Sequence, residues 1–267
     1  MIPSETLLAK DRLALFGYGL FETLFITKYG PLFPTLHWQR MNKGANFLGL
    51  TLPMESKWLA QVQNYIDQTP KIAPYALRVT LSGGAPQANL PSQLLFNSRI
   101  IPYTSAQYAY GIRLHLLTTP RNEMSPLTTI KSTNYLENIL AKETADRQGA
   151  EEGLWLNTKG FICEGTMSNL FFVKAGTLHT PSLSSGCLPG TRRQLILDLA
   201  HTLQIKTEEG LYSLSDLLSS DEIFMTNALM GLMPVRQIGD TSFSIKSSTS
   251  TVSRMRQLEL AYYALIS

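Results

Sequence analysis

The chain has 267 residues, of which 44% are hydrophobic, so it can bury a substantial core and is expected to be globular. Its net charge of +3 comes from 23 basic and 20 acidic residues scattered without long runs, which argues against nucleic acid or an anionic membrane as a partner. The two cysteines, Cys163 and Cys187, form no close pair and have no clustered histidines nearby, so neither a disulfide framework nor a metal site is expected.

In chain order, the first elements predict a small α/β domain over residues 1–105. A hairpin is predicted over 20–33, with its turn at 28–30, and helices follow over 36–48 and 55–67. Strand-like runs over 75–81 and 94–101 complete the unit, and strand signals stop between Pro102 and Gly111. The amino-terminal residues resemble no secretory signal, and no apolar run is long enough to cross a bilayer, so we expect a cytoplasmic protein.

Residues 106–267 predict a second, larger domain that begins with a strand over 112–118. A helix should follow Asn134, with Asn134 as its N-cap and with Leu136, Ile139 and Leu140 as an apolar stripe. Four short strands between 153 and 180 form a meander, which favours a largely antiparallel sheet. The fold class predicted for the whole chain is therefore mixed α/β.

The remaining elements are two helices and one strand. A helix is predicted over 192–203, where Thr191 and Gln194 form a capping-box pattern. A strand over 222–226, a turn over 227–231 and a carboxy-terminal helix from about Val252 complete the chain.

Three separated strings contain the residues with the clearest chemistry. The first runs over 130–136 and holds Lys131 just before a helix, the second runs over 164–172 and begins with Glu164, and the third runs over 186–193 and places a glycine turn at a helix start. An amine can form a Schiff base with an aldehyde, a carboxylate can face a ring nitrogen, and a helix start can bind phosphate. Together they predict a site for pyridoxal 5'-phosphate (PLP).

The spacing and order of these strings resemble the fold-type IV, or class IV aminotransferase, family. Its members include branched-chain and D-amino-acid aminotransferases and 4-amino-4-deoxychorismate lyase. The resemblance implies a PLP enzyme, a small α/β domain beside a larger pseudobarrel domain, and a homodimer. Most lysines are solvated surface groups, but the resemblance makes Lys131 the Schiff-base lysine and the base that moves protons at the substrate carbon. It makes Glu164 the carboxylate that faces the pyridine nitrogen.

The resemblance also assigns the contacts to the cofactor phosphate. Arg40, in the string 36–41, matches the arginine that grips the phosphate, and Thr191 and Arg192 stand at the phosphate-binding helix start. Asn227 and Ala228 match a third phosphate contact. Residues 190–193 read Gly-Thr-Arg-Arg where many relatives have Gly-Ile-Thr-Arg, so backbone N–H groups or Thr191 would replace a threonine contact.

Two further residues match contacts to the cofactor ring. Tyr135 corresponds to the tyrosine near the ring hydroxyl, and Leu188 corresponds to the apolar residue packed against one face of the ring. Without the surrounding motifs, each would be read equally well as an ordinary core residue.

The segments at 227–235 and 239–243 resemble the lyases of the family, whereas branched-chain aminotransferases usually carry a small-residue turn of the Gly-Thr-Ala type at the first of them. The resemblance therefore implies conversion of 4-amino-4-deoxychorismate to 4-aminobenzoate and pyruvate, with Arg113, Arg121 and Arg192 as candidate partners of the substrate carboxylates and Tyr108 as a further candidate. Two alternatives stay open. One is an aminotransferase for branched-chain or D-amino acids, and the other is a binding or regulatory protein that keeps the fold without activity.

Overall fold

The computed structural model describes residues 7–69, 73–245 and 253–266. These residues divide into two compact units: unit 1 comprises those of 1–102 together with 130–135, and unit 2 comprises those of 103–129 and 136–267. The segment 130–135, which contains Lys131, therefore belongs to unit 1, although unit 2 precedes and follows it in the chain. The predicted domains, 1–105 and 106–267, stay a prediction, because compactness alone does not define a domain that folds by itself.

Unit 1 is an antiparallel sheet covered by helices. Its elements are α1 (Arg12–Phe16), β1 (Gly19–Thr27), β2 (Gly30–Pro31), α2 (Pro34–Leu48), α3 (Glu55–Gln68), β3 (Tyr75–Ser82) and β4 (Leu94–Arg99). The strand order is β2-β1-β3-β4. Helix α3 places Trp58, Val62 and Ile66 four residues apart on one buried face, which packs in the same core as Leu24 and Leu77 of the sheet.

Unit 2 is built on a nine-stranded sheet that curls on itself. Its helices are α4 (Ser105–Tyr110), α5 (Leu136–Arg147), α6 (Thr191–Thr202), α7 (Leu214–Leu218) and α8 (Arg254–Ile266). Its strands are β5 (Ile112–Leu116), β6 (Glu152–Leu156), β7 (Ile162–Gly165), β8 (Asn169–Lys174), β9 (Thr177–Pro181), β10 (Thr207–Gly210), β11 (Glu222–Asn227), β12 (Gly231–Ile238) and β13 (Thr241–Ser242). The main order is β10-β9-β8-β11-β12-β5-β6-β7, with β13 on β12, and β7 also approaches β8 and β9.

The mixed α/β fold class is confirmed, but several elements differ from the expectation. Strand β5 pairs in parallel with both β6 and β12, and β9 pairs in parallel with β10, so the sheet is more mixed than the predicted meander. Strand β12 follows the turn over 227–231 where no strand was predicted. Helix α4 lies in the predicted domain break and begins with a capping box of Thr104 and Gln107, a signal that the sequence carries. In the part of the chain that the structure describes, no helix combines the length and apolar character needed to cross a membrane.

The apolar stripe predicted on α5 faces solvent in this single chain. Leu136, Ile139 and Leu140 are 69%, 40% and 51% exposed, and the helix buries Asn138 instead. The spacing of these three residues correctly predicts that they share one face of the helix, but it does not predict whether another element covers that face. The predicted N-cap, Asn134, is also wrong, because the helix begins only at Leu136.

Candidate active site

Backbone hydrogen bonds hold Lys131 against the first strand of unit 1. The N–H of Phe21 donates to the Lys131 carbonyl at 3.0 Å, and the N–H of Thr133 donates to the Gly19 carbonyl at 3.0 Å. An isolated antiparallel bridge joins the same segment to β1. The side chain of Asn134 donates to the carbonyl of Phe16, at the end of α1, at 3.1 Å. The segment therefore acts as a short extra strand that fixes the backbone of the lysine.

The amine of Lys131 lies over two aromatic rings. Its Nζ is 4.4 Å from the ring centroid of Phe21 and 5.4 Å from that of Tyr135, and the two rings meet edge to face at 5.0 Å. The guanidinium carbon of Arg78, a residue that the sequence did not indicate, is 3.7 Å from the same Phe21 centroid. The neutral form of an amine is the one that acts as nucleophile or base.

Arg40 lies on α2 and is bound by a buried carboxylate that the sequence did not single out. Its Nε and Nη2 donate to the two oxygens of Glu22 at 2.7 and 2.6 Å, and His37 Nδ1 lies 2.6 Å from Oε2 of the same carboxylate. Burial by itself raises the pKa of Glu22, but the charges and hydrogen bonds of Arg40 and His37 outweigh it and lower the pKa to about 2. The bidentate pair fixes the plane of the guanidinium group.

In unit 2, Glu164 is the next-to-last residue of strand β7, and its carboxylate is buried among hydrogen-bond donors. Its Oε2 accepts the backbone N–H of Leu188 at 2.9 Å and the side-chain amide of Asn169 at 3.5 Å. The same amide donates to the Leu188 carbonyl at 2.9 Å, and Arg121 Nη2 lies 3.8 Å from the other oxygen, Oε1. All these partners favour the ionised carboxylate. The structure thus brings Glu164 and Leu188 together.

The start of α6 and the turn after β11 lie side by side in unit 2. Arg192, at 1% exposure, donates from Nη2 to the carbonyl of Ala228 at 3.4 Å and from Nε to the hydroxyl of Tyr262 at 3.3 Å. Thr191 is the first residue of α6, so its predicted capping box is wrong, and Gly190 is the N-cap without a side-chain hydrogen bond. The first N–H groups of a helix have no intrahelical partner and suit an anion.

The asparagine of the turn after β11 shapes that turn with its own side chain. Asn227 Oδ1 accepts the N–H groups of Leu229 and Met230, both at 2.9 Å. Its Nδ2 donates to the hydroxyl of Tyr103 at 2.8 Å and to the carbonyl of Met167 at 3.2 Å. These four bonds use the two donors and two acceptor sites of the amide. A phosphate contact at this turn would therefore come from the backbone.

A second buried carboxylate, Glu152 on β6, organises the turn that follows Glu164. It accepts the backbone N–H groups of Thr166 at 2.9 Å and Met167 at 3.3 Å, and the hydroxyl of Ser168 at 2.7 Å. Glu152 is 3% exposed and lies outside every motif of the sequence. No sequence signal identified it, because its role depends on strand pairing.

The residues predicted for substrate carboxylates occupy different surroundings. Arg113 on β5 has its guanidinium group beside Gly149. The Tyr108 hydroxyl donates to the carbonyl of Met230 at 3.0 Å, and burial raises the pKa of this phenol. Arg121 contacts two carboxylates. Substrate binding by these residues stays a prediction.

Comparison with known proteins relates the chain to enzymes of one family. The family described as amino-transferase class IV matches residues 19–238. The aminodeoxychorismate lyase of Bacillus subtilis is 27% identical over 246 residues, which are 89% of this chain and 83% of that protein. The crystal structure of 4-amino-4-deoxychorismate lyase from Pseudomonas aeruginosa has a TM-score of 0.87 at 25% identity, covering 98% of this chain and 96% of that one. The branched-chain amino acid aminotransferase from Escherichia coli has a TM-score of 0.85 at 23% identity, covering 97% and 88%.

Proposed function

The chain belongs to the class IV aminotransferase family, whose cofactor is PLP, and from that premise we propose that it is an aminodeoxychorismate lyase. It would convert 4-amino-4-deoxychorismate to 4-aminobenzoate and pyruvate, a step of folate biosynthesis. The observation that carries this proposal is the turn after β11. Asn227 shapes that turn with four side-chain hydrogen bonds, which the glycine of the branched-chain aminotransferase turn has no side chain to make.

The residues of unit 2 fit a phosphorylated pyridine ring. A Cβ at Gly190 would lie 2.0 Å from Asn169 Oδ1, so the helix start is open only because this residue is glycine. Thr226 and Asn169 are opposite each other on β11 and β8, so their side chains share one face of the sheet. The Thr226 hydroxyl is buried and, within the described residues, has no hydrogen-bond partner, so it can serve a ligand.

PLP supplies an electron sink for the bond that breaks at the amine-bearing carbon of the substrate. Arg40 and the first N–H groups of α6 would bind the phosphate. Glu164 would hold the proton of the pyridine nitrogen, and Leu188 would pack against one face of the ring. Tyr135 would hydrogen-bond the ring hydroxyl.

Lys131 would form the covalent link to PLP and then move the proton at the reacting carbon. Its neutral amine would take the proton from the amine-bearing ring carbon of the substrate, and the enolpyruvyl group would leave with the electrons of the broken C–O bond as the enolate of pyruvate, which takes up a proton to give pyruvate. The six-membered ring becomes aromatic in the same conversion, which favours product. The backbone hydrogen bonds of the Lys131 segment with β1 and the contacts of its amine with the Phe21 and Tyr135 rings support this role, because they hold the lysine in one place.

We also propose that the enzyme is a cytoplasmic homodimer. The exposed apolar face of α5, formed by Leu136, Ile139 and Leu140, supports a subunit interface, and a second copy of the chain is its proposed partner. The two buried free thiols, Cys163 and Cys187, suit a reducing compartment. Leu140→Asp should convert the dimer to a monomer in light scattering, and an unchanged mass would argue against α5 as the interface.

Two measurements test the function. The purified protein with PLP should show a visible absorption band. Borohydride should remove this band and leave the cofactor covalently bound to Lys131. Lys131→Ala should show neither the band nor the covalent product. Aminodeoxychorismate should then yield 4-aminobenzoate, without transfer of an amino group to 2-oxoglutarate. A colourless protein would support the alternative that the chain is a binding or regulatory protein without activity. Transfer of an amino group from branched-chain or D-amino acids to 2-oxoglutarate, without formation of 4-aminobenzoate, would support the alternative that it is an aminotransferase.

A further inference from the structure

Arg121 connects the carboxylate of Glu164 to a buried aromatic ring and to a second carboxylate. Its guanidinium carbon lies 4.7 Å from the ring centroid of Trp155, which is 1% exposed. Nη1 donates to Glu137 Oε2 at 2.5 Å and to Asn138 Oδ1 at 3.4 Å, while Nη2 lies 3.8 Å from Glu164 Oε1. The side chain of Arg121 is only 11% exposed.

The backbone at Arg121 is fixed as firmly as its side chain. Its N–H donates to the carbonyl of Leu156, at the end of β6, at 2.8 Å, and a parallel bridge joins it to Asn157. A planar guanidinium group can stack on a ring and donate in two directions at once, which a lysine ammonium group cannot do in the same geometry. The surroundings therefore hold one edge of Arg121 towards Glu164.

The two oxygens of Glu164 have different partners. Oε2 accepts the backbone N–H of Leu188 and the amide of Asn169, and Oε1 faces the charge of Arg121. Burial alone favours the neutral form of a carboxyl group, whereas a cation within about 4 Å favours the ionised form. Arg121 carries a full positive charge, which opposes the effect of burial on the Glu164 carboxyl group.

We infer that Arg121 is a positioning residue, whose charge keeps the Glu164 carboxylate ionised and attracts its Oε1 oxygen, so that the carboxylate is ready to meet the pyridine nitrogen. This inference rests on the proposed function, since it needs PLP beside Glu164. In this inference Arg121 acts on the cofactor through Glu164, whereas the sequence predicted that Arg121 contacts a substrate carboxylate. The Glu137 carboxylate competes for the same guanidinium group and weakens its effect on Glu164.

The test compares PLP with an analogue in which a carbon atom replaces the pyridine nitrogen. Dissociation constants of both compounds are measured on apoenzyme prepared from the parent, Arg121→Met and Arg121→Lys. If Arg121 acts through Glu164, Arg121→Met should weaken PLP about tenfold, the equivalent of one pKa unit, and should change the binding of the analogue by less than about twofold. Arg121→Lys should recover part of the loss, because it restores the charge. Equal weakening of both compounds, or no weakening of PLP, would overturn the inference.

Two further variants keep the test decisive. In Glu164→Gln the preference for PLP over the analogue should already be lost, and adding Arg121→Met should lower it no further. Glu137→Gln changes a half-exposed position and retains Arg121. It should raise the preference for PLP over the analogue, because it removes the carboxylate that competes for Arg121. This variant can therefore test the inference if Arg121→Met fails to fold. An unchanged or lowered preference in Glu137→Gln counts against the inference. A parent apoenzyme that binds neither compound would instead refute the proposed function.

Discussion

The buried cluster of Glu22, His37 and Arg40 makes the stability of unit 1 depend on pH in a defined direction. The pKa of Glu22 falls from 4.5 to about 2 on folding, although burial alone raises it, because the charges and hydrogen bonds of Arg40 and His37 outweigh burial. A carboxyl group with a depressed pKa in the folded state contributes stability above the unfolded pKa, and that contribution is lost as pH falls through the folded pKa. The affected window therefore runs from about pH 4.5 down to about pH 2.

The size of the effect follows from the same shift. Each pKa unit corresponds to about 1.4 kcal/mol, so the drop of Glu22 from 4.5 to about 2 represents about 3 kcal/mol of unfolding free energy. Glu22→Gln should cost a similar amount at pH 7, since it leaves the buried His37 and the partly buried Arg40 without their carboxylate. The difference between parent and variant should shrink below pH 4.5 and approach its minimum near pH 2.

Tryptophan fluorescence during urea unfolding can follow unit 1 selectively. The chain has three tryptophans, of which Trp38 and Trp58 lie in unit 1, so a Trp155→Phe background removes the signal of unit 2. Unfolding free energies of this background, with and without Glu22→Gln, are then compared between pH 7 and pH 2. A difference that stays constant over this range would refute the linkage argument. A difference that grows as the pH falls would refute its sign.

Two further predictions concern unit 2. Gly190→Ala should weaken PLP binding about tenfold or more, because its Cβ would lie 2.0 Å from Asn169 Oδ1. The loss of affinity should be smaller in an Asn169→Ala background, and equal losses in both backgrounds would contradict the clash. Burial raises the pKa of the Cys163 thiol and raises that of Cys187 to about 12. A thiol reagent should therefore label neither cysteine in the native protein and both after unfolding. Rapid labelling of the native protein would contradict this prediction.

Contiguous strings of the sequence determined the family and most of the elements. Lys131 and Glu164 could be proposed as site residues because each lies within a string that resembles the corresponding string of the family. Helices α2, α3 and α6 were predicted with bounds that lie within two residues of those in the structure. The resemblance carried by the strings then implied PLP, which the family match supports.

Only the tertiary structure decided which distant residues meet. Glu22 binds Arg40, Glu152 holds the turn after β7, and Arg121 reaches Glu164, and each contact depends on how separate elements pair. The exposure of one face of α5 and the placement of residues 130–135 in unit 1 also became apparent only in the tertiary structure. The physical reason is that a local repeat shows which side chains share a face, whereas burial and partner choice depend on what the rest of the chain brings against that face.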